Sequence, residues 1–167
     1  MKGITRFLLV VLILCFLAGC KTNTESFHDP VSFYYRTNSD TFNAGESILT
    51  AEMRESAPHH KDIVKILNDY FSGPISDAMT SPFPADLIAL SFTSNDNIAS
   101  IVLSDSFYNL NGLDHSIACA ALTMTVYELT NCDALDIFVQ INANEIDHIL
   151  TLSVDDLYFL DHTESKS

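Results

Sequence analysis

The sequence predicts a small α/β domain of the two-layer α+β kind, a mixed sheet with two helices on one face in a βαββαβ-like order. Three observations predict it. First, Leu87 to Phe92 and Ile98 to Leu103 are apolar runs separated by Ser94-Asn95-Asp96-Asn97. Asn and Asp tolerate the left-handed backbone of a tight turn, so the two runs read as a β-hairpin. Second, Leu113 to Thr130 is a long apolar-rich run without internal Pro or Gly, a helix. Third, Leu135 to Val139 alternates apolar and polar at period two, a strand. Hairpin, helix and strand suffice for one sheet carrying a helix, with Ile101 and Val139 expected at its buried centre.

The N-terminus reads as an export signal. Lys2 and Arg6 form a basic start, and Phe7 to Leu17 is an unbroken apolar run of eleven residues. A spanning helix needs about 20, so the run fits a secretory segment instead. Leu17-Ala18-Gly19-Cys20 closes it and resembles the bacterial lipoprotein signal, in which the Cys is acylated and becomes the mature first residue. Two acyl chains on Cys20 satisfy the two-signal requirement for stable anchoring. The expected attachment is therefore to the extracytoplasmic face of the cell membrane through lipid on Cys20. Residues 1–20 are read as the signal, 21–30 as a polar tether, 31–160 as one domain and 161–167 as a frayed tail.

One hundred and sixty-seven residues, 47% of them hydrophobic, match one domain with a real core. Without Lys2 and Arg6, six basic residues face 22 acidic ones, so the mature chain is near −16. That charge repels nucleic acid and anionic lipid. A solvated acidic surface is the ordinary explanation, ahead of an acidic binding face.

Within the domain, Val31 to Arg36 is β-rich and reads as the first strand. Ile48 to Glu55 alternates, but neither face is cleanly apolar, which fits a sheet edge. The first helix is expected to open near His59 or His60. Ile63, Ile66, Leu67, Tyr70 and Phe71 recur at helical spacing, and Gly73-Pro74 stops the helix. Ser81-Pro82-Phe83-Pro84 is either a rigid lead-in to the next strand or a docking knob presenting Phe83; the lead-in is the ordinary reading. In the second helix Ile117, Ala120, Ala121, Met124 and Leu129 form a core-facing stripe, with Asn111 or Asp114 as its cap. Ile146 to Leu160 supplies a last strand and an end piece.

No residue pattern in the sequence forms a reactive constellation. His59-His60 point about 100° apart on a helix and have no third ligand at metal spacing. His28-Asp29 lies in the tether, where such a pair is ordinarily solvated. Asp105-Ser106 has no adjacent His and no nucleophile elbow. Asp155-Asp156 lacks the calcium-loop pattern. Cys119 lies roughly 16 Å from the end of its helix at 1.5 Å per residue. Cys132 lies beyond that end, and a disulfide needs Cα atoms within about 7 Å. Both thiols are expected free. No cofactor, metal or catalytic residue is implied.

Several stretches resemble a known family, the sporulation and spore germination domain GerMN. Ile66-Leu67, Tyr70-Phe71-Ser72-Gly73-Pro74 is similar to its "leucines then Gly-Pro" signature, and Ser81-Pro82-Phe83-Pro84 to its Ser-Pro-Leu-Pro loop. Asn97 to Ser104 with Phe107, and Tyr127 to Leu135 with Phe138-Val139, resemble its hairpin and its closing strand. Asn97 stands where the family has Gly, and Gln140-Ile141-Asn142 replaces its usual close. The resemblance covers about Val31 to Asp147. It implies a fold of the ring-building type and a place among envelope lipoproteins of spore formers, with no reaction to carry over. The expected function is a lipid-anchored, non-catalytic interaction module that self-associates or holds a protein partner. The alternatives are a small-ligand-binding lipoprotein and, behind it, a carboxylate hydrolase.

Overall fold

The structure, a computed structural model, describes residues 30–38, 47–55 and 62–157. Leu17 to Cys20, the His28-Asp29 and His59-His60 pairs and the tail 161–167 lie outside the described residues. The chain runs β1 (Val31–Thr37), β2 (Leu49–Arg54), α1 (Ile63–Phe71), β3 (Met79–Thr80), β4 (Ala89–Asn95), β5 (Ile98–Ser104), α2 (Gly112–Thr130), β6 (Ala134–Asn142) and β7 (Glu145–Ser153). Short 3-10 turns, Asp105–Asn109 and Val154–Asp156, follow β5 and β7.

The α+β class holds, and β1, α1, β4, β5, α2 and β6 give the βαββαβ order. The strands divide between two sheets, however, instead of forming one. Sheet β2-β1-β3 is antiparallel throughout, and sheet β4-β5-β6-β7 is mixed, with β5 and β6 parallel.

Helix α2 is the reason. Its expected stripe is wider than the sequence pattern implied: Ala118, Cys119, Leu122, Thr123, Thr125 and Val126 are buried along with Ile117, Ala121 and Leu129. A helix covered nearly all round must be enclosed on more than one side. It packs against β1 of the first sheet and against β6 and β7 of the second. The second sheet meets it with alternate residues, Ala99, Ile101 and Leu103 on β5 and Leu135, Ile137 and Val139 on β6, all buried. Ile101 and Val139 are fully buried, as expected.

Local chemistry sets the boundaries. Asp96 and Asn97 take φ of 46° and 74°, the left-handed pair of a two-residue hairpin turn, and this twist matches that of the strands it joins. Helix α1 begins at Ile63 instead of near His59, because Asp62 is its cap and accepts the Lys65 N–H through Oδ1 at 3.1 Å. Gly73, at φ 103°, ends it in a conformation an L side chain rarely adopts. Cys119 and Cys132 are free and buried.

Candidate interaction surface

β1 turns Val31, Phe33 and Tyr35 inward. Tyr70 of α1 stacks on Phe33 with ring centroids 5.3 Å apart and tilts against Tyr35 at 5.0 Å. Phe83 packs edge-on against Tyr70 and Phe71 at 5.1 and 4.9 Å. Phe83 is therefore only 7% exposed, and Pro82 beside it is buried, with Pro84 half-buried. The docking reading of Pro82-Phe83-Pro84 is corrected: Ser81 Oγ accepts the Phe83 N–H at 3.2 Å and the ring turns into the aromatic cluster. The loop is a rigid lead-in.

Next to this cluster lies a charged clamp. The Arg54 guanidinium pairs with Glu52 and sits 5.2 and 5.4 Å from the ring centroids of Phe33 and Tyr35. Its Nη2 donates to the Gly73 carbonyl at 2.7 Å, which also accepts the Tyr35 hydroxyl at 3.1 Å. Glu52 Oε2 accepts the N–H groups of Ile75 and Ser76, each at 2.9 Å. Burial alone would raise the Glu52 carboxyl, but the hydrogen bonds from Ser76, Arg54 and Ile75 outweigh it and hold the group below its usual range. The clamp fixes the Gly73–Ser76 loop on β2. It also explains why β2 has no clean apolar face: its polar residues are the ones turned toward the rings.

β2 is an edge strand, as its sequence implied. Thr37 N–H donates to the Ile48 carbonyl at 2.9 Å. Alternation along the antiparallel pair then turns the N–H and C=O of Leu49, Ala51 and Met53 outward. Beside that edge Met53 is 68% exposed, and Ile75 on the clamped loop is 79% exposed. The opposite edge of β1 is closed by side chains: Tyr34 N–H donates to Thr125 Oγ1 at 3.0 Å, and the Tyr70 hydroxyl donates to the Tyr34 carbonyl. Sequence reasoning missed Thr125 and Glu52. The available signal was a pair of Thr residues at 123 and 125 inside the otherwise apolar stretch Ile117 to Val126.

The remaining polar residues play local roles. Ser106 is buried and bonds Ser104 Oγ at 2.8 Å and the Asp86 carbonyl at 3.3 Å, while Asp105 is exposed. Asn111 occupies the cap position of α2 without a side-chain bond, and Asp114 pairs with Arg36 at 3.0 Å. Asp155 and Asp156 lie in the short turn after β7, where Ser153 Oγ accepts the Asp155 N–H. Burial pushes the Cys119 thiol up to about 12. His148 Nε2 lies 3.7 Å from Asp136 Oδ1 and 3.3 Å from Thr151 Oγ1. Both oxygens approach one ring nitrogen, whereas a hydroxyl–base pair needs an orienting group on the other. Among the described residues no group of three or more His, Cys, Asp or Glu stands close enough to hold a metal, and no helix is long and apolar enough to cross a membrane.

The architecture has counterparts among solved structures. The chain is similar to the tandem GerMN domains of the sporulation protein GerM from Bacillus subtilis, with a TM-score of 0.53 at 15% identity. The fold is GerMN-like. The alignment covers 81% of this chain and 47% of that one, so the chain spans about half the length of the tandem. A protein from Clostridium perfringens, provisionally described as a lipoprotein, gives a TM-score of 0.44 at 20% identity over 77% of this chain and 93% of its own. No family model and no curated protein matches the sequence. In this GerMN-like fold the stretches that carried the resemblance are structural. Gly73-Pro74 is the clamped loop, and Ser81 to Pro84 delivers Phe83 to the core.

Proposed function

We propose that the protein is a lipid-anchored, non-catalytic interaction module of the bacterial envelope, held on the extracytoplasmic face through Cys20. The GerMN-like fold is the observation that carries the reading, because the similar structure belongs to a protein described as a sporulation protein. The Leu17-Ala18-Gly19-Cys20 sequence supports the anchor. The outer edge of β2, without a paired strand among the described residues and flanked by exposed Met53 and Ile75, supports association through sheet edges. On this reading residues 31–160 act as one domain that holds a protein partner or a second copy, in sporulation or germination.

The experiment compares wild type with Cys20→Ser in a spore-forming host, in growth and in sporulation. Wild type should incorporate a fatty-acid probe, and cross-linking should retain specific envelope proteins. Cys20→Ser should accumulate as unlabelled precursor. Undiminished labelling of the variant would remove the anchor. Turnover of an envelope substrate by the purified protein, lost in a carboxylate variant, would remove the non-catalytic reading.

A further inference from the structure

The sequence contains a single Asn-Gly step, Asn111-Gly112, and the fold places it where the 3-10 turn after β5 hands over to helix α2. Both residues are exposed. Asn111 stands at the cap position of α2, but its side chain makes no capping bond. Other Asn amides are spent: Asn68 grips both backbone groups of Ala89, and Asn97 bonds Asp133. The Gly112 N–H is one of the orphan donors of a helix start, and no described residue accepts it. Gly112 takes φ +53°, a conformation L side chains rarely adopt, and a Cβ built there would meet nothing within 4 Å. The peptide bond between the two residues therefore lies in open space, with a free amide on one side and a free N–H on the other.

Those are the conditions for an intramolecular reaction. Attack by the Gly112 nitrogen on Asn111 Cγ closes a succinimide ring, and a Cβ on the attacking residue, which Gly lacks, would crowd the approach. Closure needs rotation about the Asn111 ψ, which stands at 158°. The bond that resists it runs from the His115 N–H to the Asn111 carbonyl and is long, at 3.4 Å, so little holds this peptide plane. We propose that Asn111-Gly112 is a self-modification site, where the backbone nitrogen of Gly112 displaces ammonia from Asn111 and the imide then hydrolyses to Asp or isoaspartate. As the N–Cγ bond forms, the N–H proton leaves with the side-chain NH2 as ammonia. One water then opens the ring. Cleavage between Cγ and nitrogen gives Asp, and cleavage between the Asn111 main-chain carbonyl and nitrogen gives isoaspartate. Neither step needs an oxidant, a reductant or a cofactor. Both products add a carboxylate at the start of α2, where Asp114 already pairs with Arg36 and the positive end of the helix dipole favours negative charge. Isoaspartate also lengthens the main chain just ahead of the helix that divides the sheets.

The test ages the purified full-length chain for weeks in buffer at pH 6 and at pH 8, and follows the fragment containing Asn111 by mass spectrometry. Its mass should rise by the exchange of NH2 for OH, and faster at pH 8, because the attacking nitrogen must lose its proton. Part of the product should accept a methyl group from protein isoaspartate methyltransferase. The aged chain should gain an acidic form on anion exchange, and Asn111→Asp should co-elute with its Asp product. Asn111→Gln, which must close a larger ring, should hold its mass over the same period. It should also melt like wild type, since the side chain it replaces makes no bond. A folded wild-type chain that keeps Asn111 intact overturns the proposal, whether or not the chain converts in urea. Product that is Asp alone would mean direct hydrolysis and would overturn the ring. An equal mass gain in the Asn111→Gln fragment would assign the reaction to Asn109 and overturn the site.

Discussion

The backbone N–H of Tyr34 donates to Oγ1 of Thr125 at 3.0 Å, so a helix side chain stands where a neighbouring strand would be. The Tyr70 hydroxyl answers the Tyr34 carbonyl, and β3 pairs with β1 only at Arg36 and Thr37. Two side chains thus seal an edge that a strand leaves uncovered. Helix α2 becomes the divider between the sheets, and β2, β4 and β7 are left as outer strands.

Thr125→Val tests the seal. Thr125 is fully buried, and Val keeps its shape while removing the acceptor, which leaves the Tyr34 N–H unpaired. The expected loss is about 1–3 kcal/mol, read as a lower urea midpoint at unchanged slope. A midpoint equal to wild type would show that water replaces the hydroxyl at no cost.

The Glu52–Arg54 clamp makes a second prediction. Glu52→Ala leaves the guanidinium over Phe33 and Tyr35 without its counter-charge and frees the Ile75 and Ser76 N–H groups. Breaking one partner of a largely buried pair costs on the order of 3 kcal/mol. Replacing both by Met should cost less than Glu52→Ala, because no charge is then stranded. If the double variant is the weaker of the two in chemical denaturation, the loop contacts rather than the charge dominate.

The same carboxylate gives an acid dependence. Despite burial, which raises it, Glu52 is held below its usual range by Ser76, Arg54 and Ile75. A depressed carboxyl contributes stability that is complete above the unfolded value, about 4.3, and is lost as pH falls through the lower folded value. Wild type should therefore lose more stability than Glu52→Gln between pH 6 and pH 3. Equal losses in urea midpoints at the two pH values would assign the acid sensitivity to other carboxylates.

Much of this fold is written locally. Asp96-Asn97 announces its hairpin, the Ile66, Leu67, Tyr70 and Phe71 spacing announces α1, and the helix between Cys119 and Cys132 keeps the thiols apart. The division into two sheets is not local. It depends on Thr123 and Thr125 being buried, the first bonding back to the Cys119 carbonyl at 2.9 Å and the second to β1. Polar residues in a helix read as solvent-facing until a partner is known. Glu52 and Arg54 hid for the same reason, since a buried charge pair looks like a polar edge.

Phe83 provides the last test, since its neighbours came from distant sequence. A lone aromatic between two prolines carries no periodicity, so the chain alone left open whether the ring pointed out or in. With the ring against Tyr70 and Phe71, Phe83→Ala opens a cavity in the aromatic cluster. The expected cost is about 3–5 kcal/mol. A domain stable by about 5–15 kcal/mol survives that with a clearly lower melting temperature. Phe83→Leu, which refills much of the space, should recover part of the loss. Partner retention by the folded fraction should match wild type, because the ring offers little surface for binding. A variant that melts like wild type but loses its envelope partners would return Phe83 to the surface and reverse the assignment.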